Sequence, residues 1–148
     1  MEVNGMKTNI LNIGKILNKW TSILKLQDWD ITVKLMQPKW KKSGDIKISL
    51  ENRQALLLIN KKPRCENLDE LVIHELLHLK LWGMDQMIED SLSILYGGKM
   101  SKKKEFAYTQ FMTLLESTVQ DLTKGYLIAS GSKRPFSLNG LKEQIPEI

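Results

Sequence analysis

The apolar positions of this chain switch period along its length, and each switch marks an element. Ile10, Leu11, Ile13, Ile16, Leu17, Trp20, Ile23 and Leu24 recur at helical steps, which predicts an amphipathic helix over residues 10–26. Trp29, Ile31, Val33 and Leu35 then alternate with Asp30, Thr32 and Lys34, the period of a half-buried strand, and Pro38 with the polar run to Gly44 ends it. Ile46 and Ile48 alternate with Lys47 and Ser49. After the polar turn Glu51-Asn52-Arg53-Gln54 comes the nearly continuous apolar run from Ala55 to Ile59. Two strands joined this way read as a hairpin, the second being the more buried.

Asn67, with Glu70 three residues on, has the capping-box arrangement of a helix start. Leu68, Leu71, Val72, Ile73, Leu76, Leu77, Leu79, Leu81 and Trp82 follow, so the helix over 68–82 is apolar on most of its surface and should lie at the centre of the fold. Gly83 reads as the residue that stops it. A short helix over 85–96 should end at Gly97-Gly98. Ser101 should cap a last helix, about 102–125, whose stripe is Tyr108, Met112, Leu115, Val119 and Leu122. From Lys124 the composition turns to Gly, Ser, Pro and Lys, and residues 130–148 read as a loosely held tail. The fold class expected is α+β, one domain over 1–129: an N-terminal helix, a small three-stranded and mostly antiparallel sheet, a buried helix and a C-terminal helix.

Composition narrows this little. The chain has 148 residues, 42% hydrophobic and 26% charged, as an ordinary soluble domain has. Its net charge of +5 and pI near 9.3 suit an approach to nucleic acid or anionic surfaces. The plainer reading of Lys41-Lys42, Lys61-Lys62 and Lys102-Lys103-Lys104 is solvated surface. A nucleic-acid module would need Lys41, Lys42 and Lys102 to Lys104 gathered on one face. The single cysteine, Cys65, excludes an internal disulfide and a cysteine-built zinc ribbon, fits a reducing cytoplasm, and reads as a small packing residue. No apolar run approaches the roughly 18 residues of a membrane span, so no membrane partner is expected and the location expected is cytoplasmic.

The chemistry is concentrated in one place. The chain has two histidines, His74 and His78, both in the buried helix with Glu75 directly after the first. At about 100° per residue the histidines lie about 40° apart, one turn above the other, with Glu75 offset by about 100°. Two imidazoles on one helical face suit zinc, and the neighbouring carboxylate is placed to take a proton from a zinc-bound water. Scattered at random, two histidines would fall four apart roughly once in seventy, and with a glutamate next to the first roughly once in a thousand. Buried histidines satisfied by backbone or carboxylate partners are the structural alternative. Three polar side chains pointing into a Leu, Ile and Val environment are better explained by a metal.

A catalytic zinc takes a third protein ligand and keeps an open position. With no other histidine, and with Cys65 ahead of the helix, that ligand should be a carboxylate: Asp85, Glu89, Asp90, Glu105, Glu116 or Asp121. Taking Tyr108 as zero, the stripe of the last helix spans about −40° to +40° and Glu116 falls near 80°, at its edge. Glu105 sits in the first turn, where a carboxylate serves the dipole. Asp121 is on the far face. Glu116 is the expected ligand, with Glu89 and Glu105 in reserve.

The run Leu71-Val72-Ile73-His74-Glu75-Leu76-Leu77-His78-Leu79 resembles the active-site helix of the zincin metallopeptidases, specifically the minimal gluzincin-like proteins of bacteria and phages. Leu26 to Val33 is similar to their first strand and Leu115 to Leu122 to their glutamate-bearing helix. The resemblance implies one catalytic zinc and a peptide or protein substrate. It also implies that a sheet edge strand, residues 54–60 or 45–50, receives extended peptide by strand addition. The metzincins and the SprT-like peptidases use a third histidine, which this chain lacks. The function expected is therefore a zinc peptidase with Glu75 as general base. Tyr96, Tyr108 and Tyr126 are candidates to stabilise the transition state. The alternatives are a regulatory, non-catalytic zinc domain of a phage or mobile-element system, and a nucleic-acid-binding module.

Overall fold

The computed structural model describes residues 10–65 and 67–131. All but the start of the tail expected over 130–148 lies outside the described residues. Seven elements follow in order: α1 (Ile10–Ile23), β1 (Asp30–Met36), β2 (Gly44–Ser49), β3 (Gln54–Asn60), α2 (Leu68–Lys80), α3 (Trp82–Tyr96) and α4 (Lys102–Ala129). The class is α+β, as the alternating periods predict.

The sheet departs from expectation in one respect. Its order is β1-β3-β2, with β2 antiparallel to β3 but β1 parallel to it, so the sheet is mixed and not mostly antiparallel. The physical reason is the burial of β3. Ala55, Leu57 and Ile59 are at most 6% exposed. Only the central position flanks such a strand on both sides, with Val33 and Ile46 both in register with Leu57. The segment after β1 therefore carries the chain past β3 to the far edge. Alternation within a strand predicts its faces, not its direction, and that is why the parallel pairing was not readable.

The inner face of the sheet presents Ile31, Val33 and Leu35, Ala55, Leu57 and Ile59, and Ile46 and Ile48 to one core. The central helix α2 buries Leu71, Val72, Ile73, Leu76, Leu77 and Leu79 there and packs on β2, α1 and α4. Each fully buried Leu, Ile or Val contributes about 1.5–3 kcal/mol of transfer free energy. Trp20, 1% exposed, joins three helices: its Nε1 donates to Asp69 Oδ2 at 3.1 Å, and its ring meets Tyr126 edge-on at 6.2 Å. Cys65 packs against the core edge as expected of a small apolar residue.

Asn67 caps α2, its side chain accepting from the Glu70 N–H at 3.3 Å. The helix stops at Lys80 and not at Gly83. Leu81 ends α2 and begins α3 at once, its N–H reaching the Leu77 carbonyl while its own carbonyl accepts from the Asp85 N–H. Gly83 thus lies inside the first turn of α3, a correction to its reading as a stop. Gly97, with φ of 88°, ends α3 where a glycine was expected to, because the chain there enters the left-handed region. Ser101 caps α4 through Lys104 N–H, as expected, and α4 runs on to Ala129.

The buried face of α4 is turned from the expected one. Val119, Thr123 and Leu127 are buried, whereas Leu122 is 42% exposed. On the same wheel, about 100° per residue from Tyr108, the buried residues fall near 20°, 60° and 100°. Glu116 near 80° therefore falls within the angular span of the buried residues, its side chain half exposed. The apolar stripe of the sequence misled because the first half of α4 has no buried residue, so its apolar positions do not mark the buried face.

Candidate metal centre

The site is built where α2 faces α4. His74 and His78 stand one turn apart on α2, ring centroids 5.0 Å apart, each about four-fifths buried. Across from them, Glu116 of α4 spans the pair: His78 Nε2 to Oε1 is 3.0 Å and His74 Nε2 to Oε2 is 3.4 Å. The three donor atoms lie within 4.8 Å of one another, and among the described residues this is the group that could hold a metal ion. An ion with tetrahedral bonds of roughly 2.0–2.1 Å separates its ligands by about 3.3 Å. The two imidazole-to-carboxylate contacts, 3.0 and 3.4 Å, are of that order, and the two-imidazole, one-carboxylate donor set suits such an ion.

Hydrogen bonds and charges couple the three side chains to one another. Burial lowers the His74 pKa, but the Glu116 hydrogen bond, the Glu75 charge and Gln120 outweigh it, and the net direction is up. Hydrogen bonds from His74 and His78 hold the Glu116 carboxyl far below the ordinary carboxylate range. Groups that attract each other this strongly across a helix interface are the ones a cation would bridge.

His74 is oriented by a residue that sequence reasoning passed over. Its Nδ1 lies 3.0 Å from Gln120 Oε1, and Gln120 Nε2 donates to Glu70 Oε1 at 2.9 Å. A carbonyl acceptor at Nδ1 holds a proton there, so when the ring is neutral Nε2, which donates to Glu116 when the ring is charged, is the nitrogen free to ligate. Glu70, 3% exposed, is thus a brace beneath the site as well as a first-turn residue of α2. The available signal was helical: Gln120 stands one turn after Glu116, on the same face of α4.

Glu75 is 8% exposed and lies under the sheet's edge. A Cβ built on Gly44 would stand 2.8 Å from Leu71 Cδ1 and 3.5 Å from Glu75 Oε1. Gly44 pairs with Ile59, so it belongs to the inner face of β2, and its missing side chain lets the edge strand cross directly over Glu75. Burial raises the Glu75 pKa. His74 and His78 pull it down, Asp45 and Glu116 push it up, and the net direction is up. A carboxylate displaced toward neutrality is what a general base needs.

The other candidates lie elsewhere. Glu89 accepts from Gln86 at 3.1 Å on α3, and Glu105 is exposed in the first turn of α4; neither joins the group. Tyr126 is taken up by Trp20, Tyr96 is exposed at the end of α3, and Tyr108 is half-buried on α4. Of the two strands considered for peptide addition, β3 is paired on both sides, which removes 54–60, whereas β2 is an edge. Of the lysines that a nucleic-acid face would require, Lys42 is paired with Asp45 and Lys104 reaches the Gly97 carbonyl. A shallow depression of about 440 Å³ lies on the sheet's outer side, lined by Asp30, Thr32, Lys47 and Leu56 among others, and includes none of the donor residues. No helix among the described residues is long and apolar enough to cross a membrane. Compared with known proteins, the chain matches no family model, no curated protein and no solved structure.

Proposed function

We propose that the chain is a zinc-dependent peptidase, in which His74, His78 and Glu116 hold one Zn²⁺ and Glu75 is the general base. The observation that carries the reading is the convergence of three donor atoms within 4.8 Å, next to a buried carboxylate that lies under an edge strand. When bound, zinc supplies a Lewis acid for the scissile carbonyl and acidifies a coordinated water. Glu75 takes the proton of the attacking water on a carboxylate oxygen and returns it to the leaving amine. Its burial keeps bulk water from competing for that proton. The free edge of β2 offers backbone N–H and C=O groups to an extended peptide, aligning it above Glu75. Gln120, braced by Glu70, holds His74 in the tautomer that presents Nε2. Three donors rather than four among the described residues favour an open, catalytic position over a closed regulatory site.

Elemental analysis of protein purified with zinc present tests the metal, and a peptide library tests the chemistry. One zinc per chain and hydrolysis by the wild type are expected. Glu75→Gln should keep the zinc and lose the hydrolysis. A zinc-free wild type overturns the metal reading, and loss of zinc in Glu75→Gln would make Glu75 a ligand and remove the general base.

A further inference from the structure

The α3–α4 hairpin carries features that the metal centre does not use. No residue of α3 is buried, and α4 buries nothing before Val119. Around the bend, Ile94 is 86% exposed, Leu95 71%, Tyr96 40%, Met100 64% and Phe106 65%. Ile94, Leu95 and Tyr96 are consecutive, so at about 100° per residue they point in three directions spread over about 200°. A helix laid alongside α3, or a flat protein face, covers one stripe and leaves the others wet. A medium that surrounds the end of the hairpin covers all three.

The same bend is basic. Residues 94–106 hold Lys99, Lys102, Lys103 and Lys104 against Glu105 alone. Lys104 reaches the Gly97 carbonyl at 3.1 Å and closes the end of α3. Lys99, Lys102 and Lys103 are exposed, and among the described residues none of them has an ion-pair partner. Lys102 and Lys103 also occupy the first turn of α4, where the helix dipole disfavours cations. Helix stability does not account for them, whereas an anionic partner does.

We infer that this tip is a membrane-surface anchor: Ile94, Leu95, Tyr96, Met100 and Phe106 enter the headgroup boundary of an anionic bilayer while Lys99, Lys102 and Lys103 meet its phosphates. Exposed aliphatic side chains ringed by lysines, with aromatics at the interface, are the composition such a site requires. Nucleic acid would use the lysines but leave the aliphatic tip in water. The expectation of no membrane partner concerned spanning segments; an interfacial tip needs none.

Sedimentation of the full chain with lipid vesicles tests the anchor independently of zinc or hydrolysis. Binding is expected to vesicles containing phosphatidylglycerol and not to pure phosphatidylcholine, and it should weaken with salt. Lys99→Ala/Lys102→Ala/Lys103→Ala should lower partitioning roughly a hundredfold. Ile94→Ser/Leu95→Ser should also lower it, while the distant Lys61→Ala/Lys62→Ala should not. All these side chains are exposed, so the variants keep the fold. The inference is overturned if the wild type stays in solution with anionic vesicles, if the tip variants sediment as it does, or if the tip instead governs self-association or DNA binding without vesicle binding.

Discussion

Gln120 Oε1 stands 3.0 Å from His74 Nδ1, and the amide that carries it is fixed from the other end by Glu70. The hydrogen bond makes α4 responsible for two parts of the candidate site, a donor group at Glu116 and the orientation of His74 by Gln120. Gln120→Leu keeps the bulk and removes the acceptor. It should lower zinc affinity about 10- to 100-fold, the usual cost of losing such an outer partner, and cost about 1–3 kcal/mol of stability because buried Glu70 loses a donor. Competition with a chromogenic chelator reads this directly. An unchanged affinity in Gln120→Leu would show that His74 does not depend on the contact.

Much of this was legible in the sequence, for reasons that separate what was read from what was missed. His74, Glu75 and His78 stand on one helix, and helical spacing is rigid, so their mutual placement follows from the sequence alone. Glu116 was reachable by angle, but with the wrong centre for the buried face of α4. Thr123, a polar residue, takes the inward place that Leu122 was assigned. Its hydroxyl donates to the Val119 carbonyl at 2.7 Å, which is how a threonine sits buried without an outside partner. Gln120 and Glu70 needed the docking of α4 on α2, and Gly44 needed the strand order. Both are tertiary facts that no local period encodes.

Gly44 is predicted to be the tightest point between the sheet and α2. A Cβ there meets Leu71 Cδ1 at 2.8 Å and Cγ at 3.3 Å, and Leu71, only 8% exposed, has little room to turn away. Gly44→Val should destabilise the protein by about 1–3 kcal/mol through overpacking, measured by urea unfolding. It should also displace Glu75 and depress hydrolysis more than zinc binding. A variant as stable as the wild type would mean that β2 lifts freely from α2.

Trp20 is the tie between α1, α2 and α4. Trp20→Phe keeps a ring but loses the Nε1 hydrogen bond to Asp69 and part of the edge contact with Tyr126. The expected loss is about 1–3 kcal/mol: a hydrogen bond to a charged group, an aromatic contact and some buried area. Zinc affinity should be unaffected, since none of the donor atoms touches Trp20. Thermal unfolding and metal titration of the same variant check both halves.

The stabilisation conferred by zinc should grow with pH. An imidazole must be neutral to ligate, so a proton on His74 competes with the ion. The folded-state pKa of His74 is raised. Its contribution to the metal-free fold is fully present below the unfolded value of about 6.5 and is lost as pH rises through the folded one. Glu75, also raised, acts in the same sense above about 4.5. Glu116 is depressed, so its contribution is present above about 4.5 and fades only as pH falls further. Across the near-neutral window the His74 proton that stabilises the metal-free fold is also the one zinc must displace, so its loss with rising pH raises zinc affinity. The rise in melting temperature on adding a fixed excess of zinc should be larger at about pH 8 than at about pH 6. A rise equal at both, or larger at the lower pH, would place the metal on groups other than these histidines.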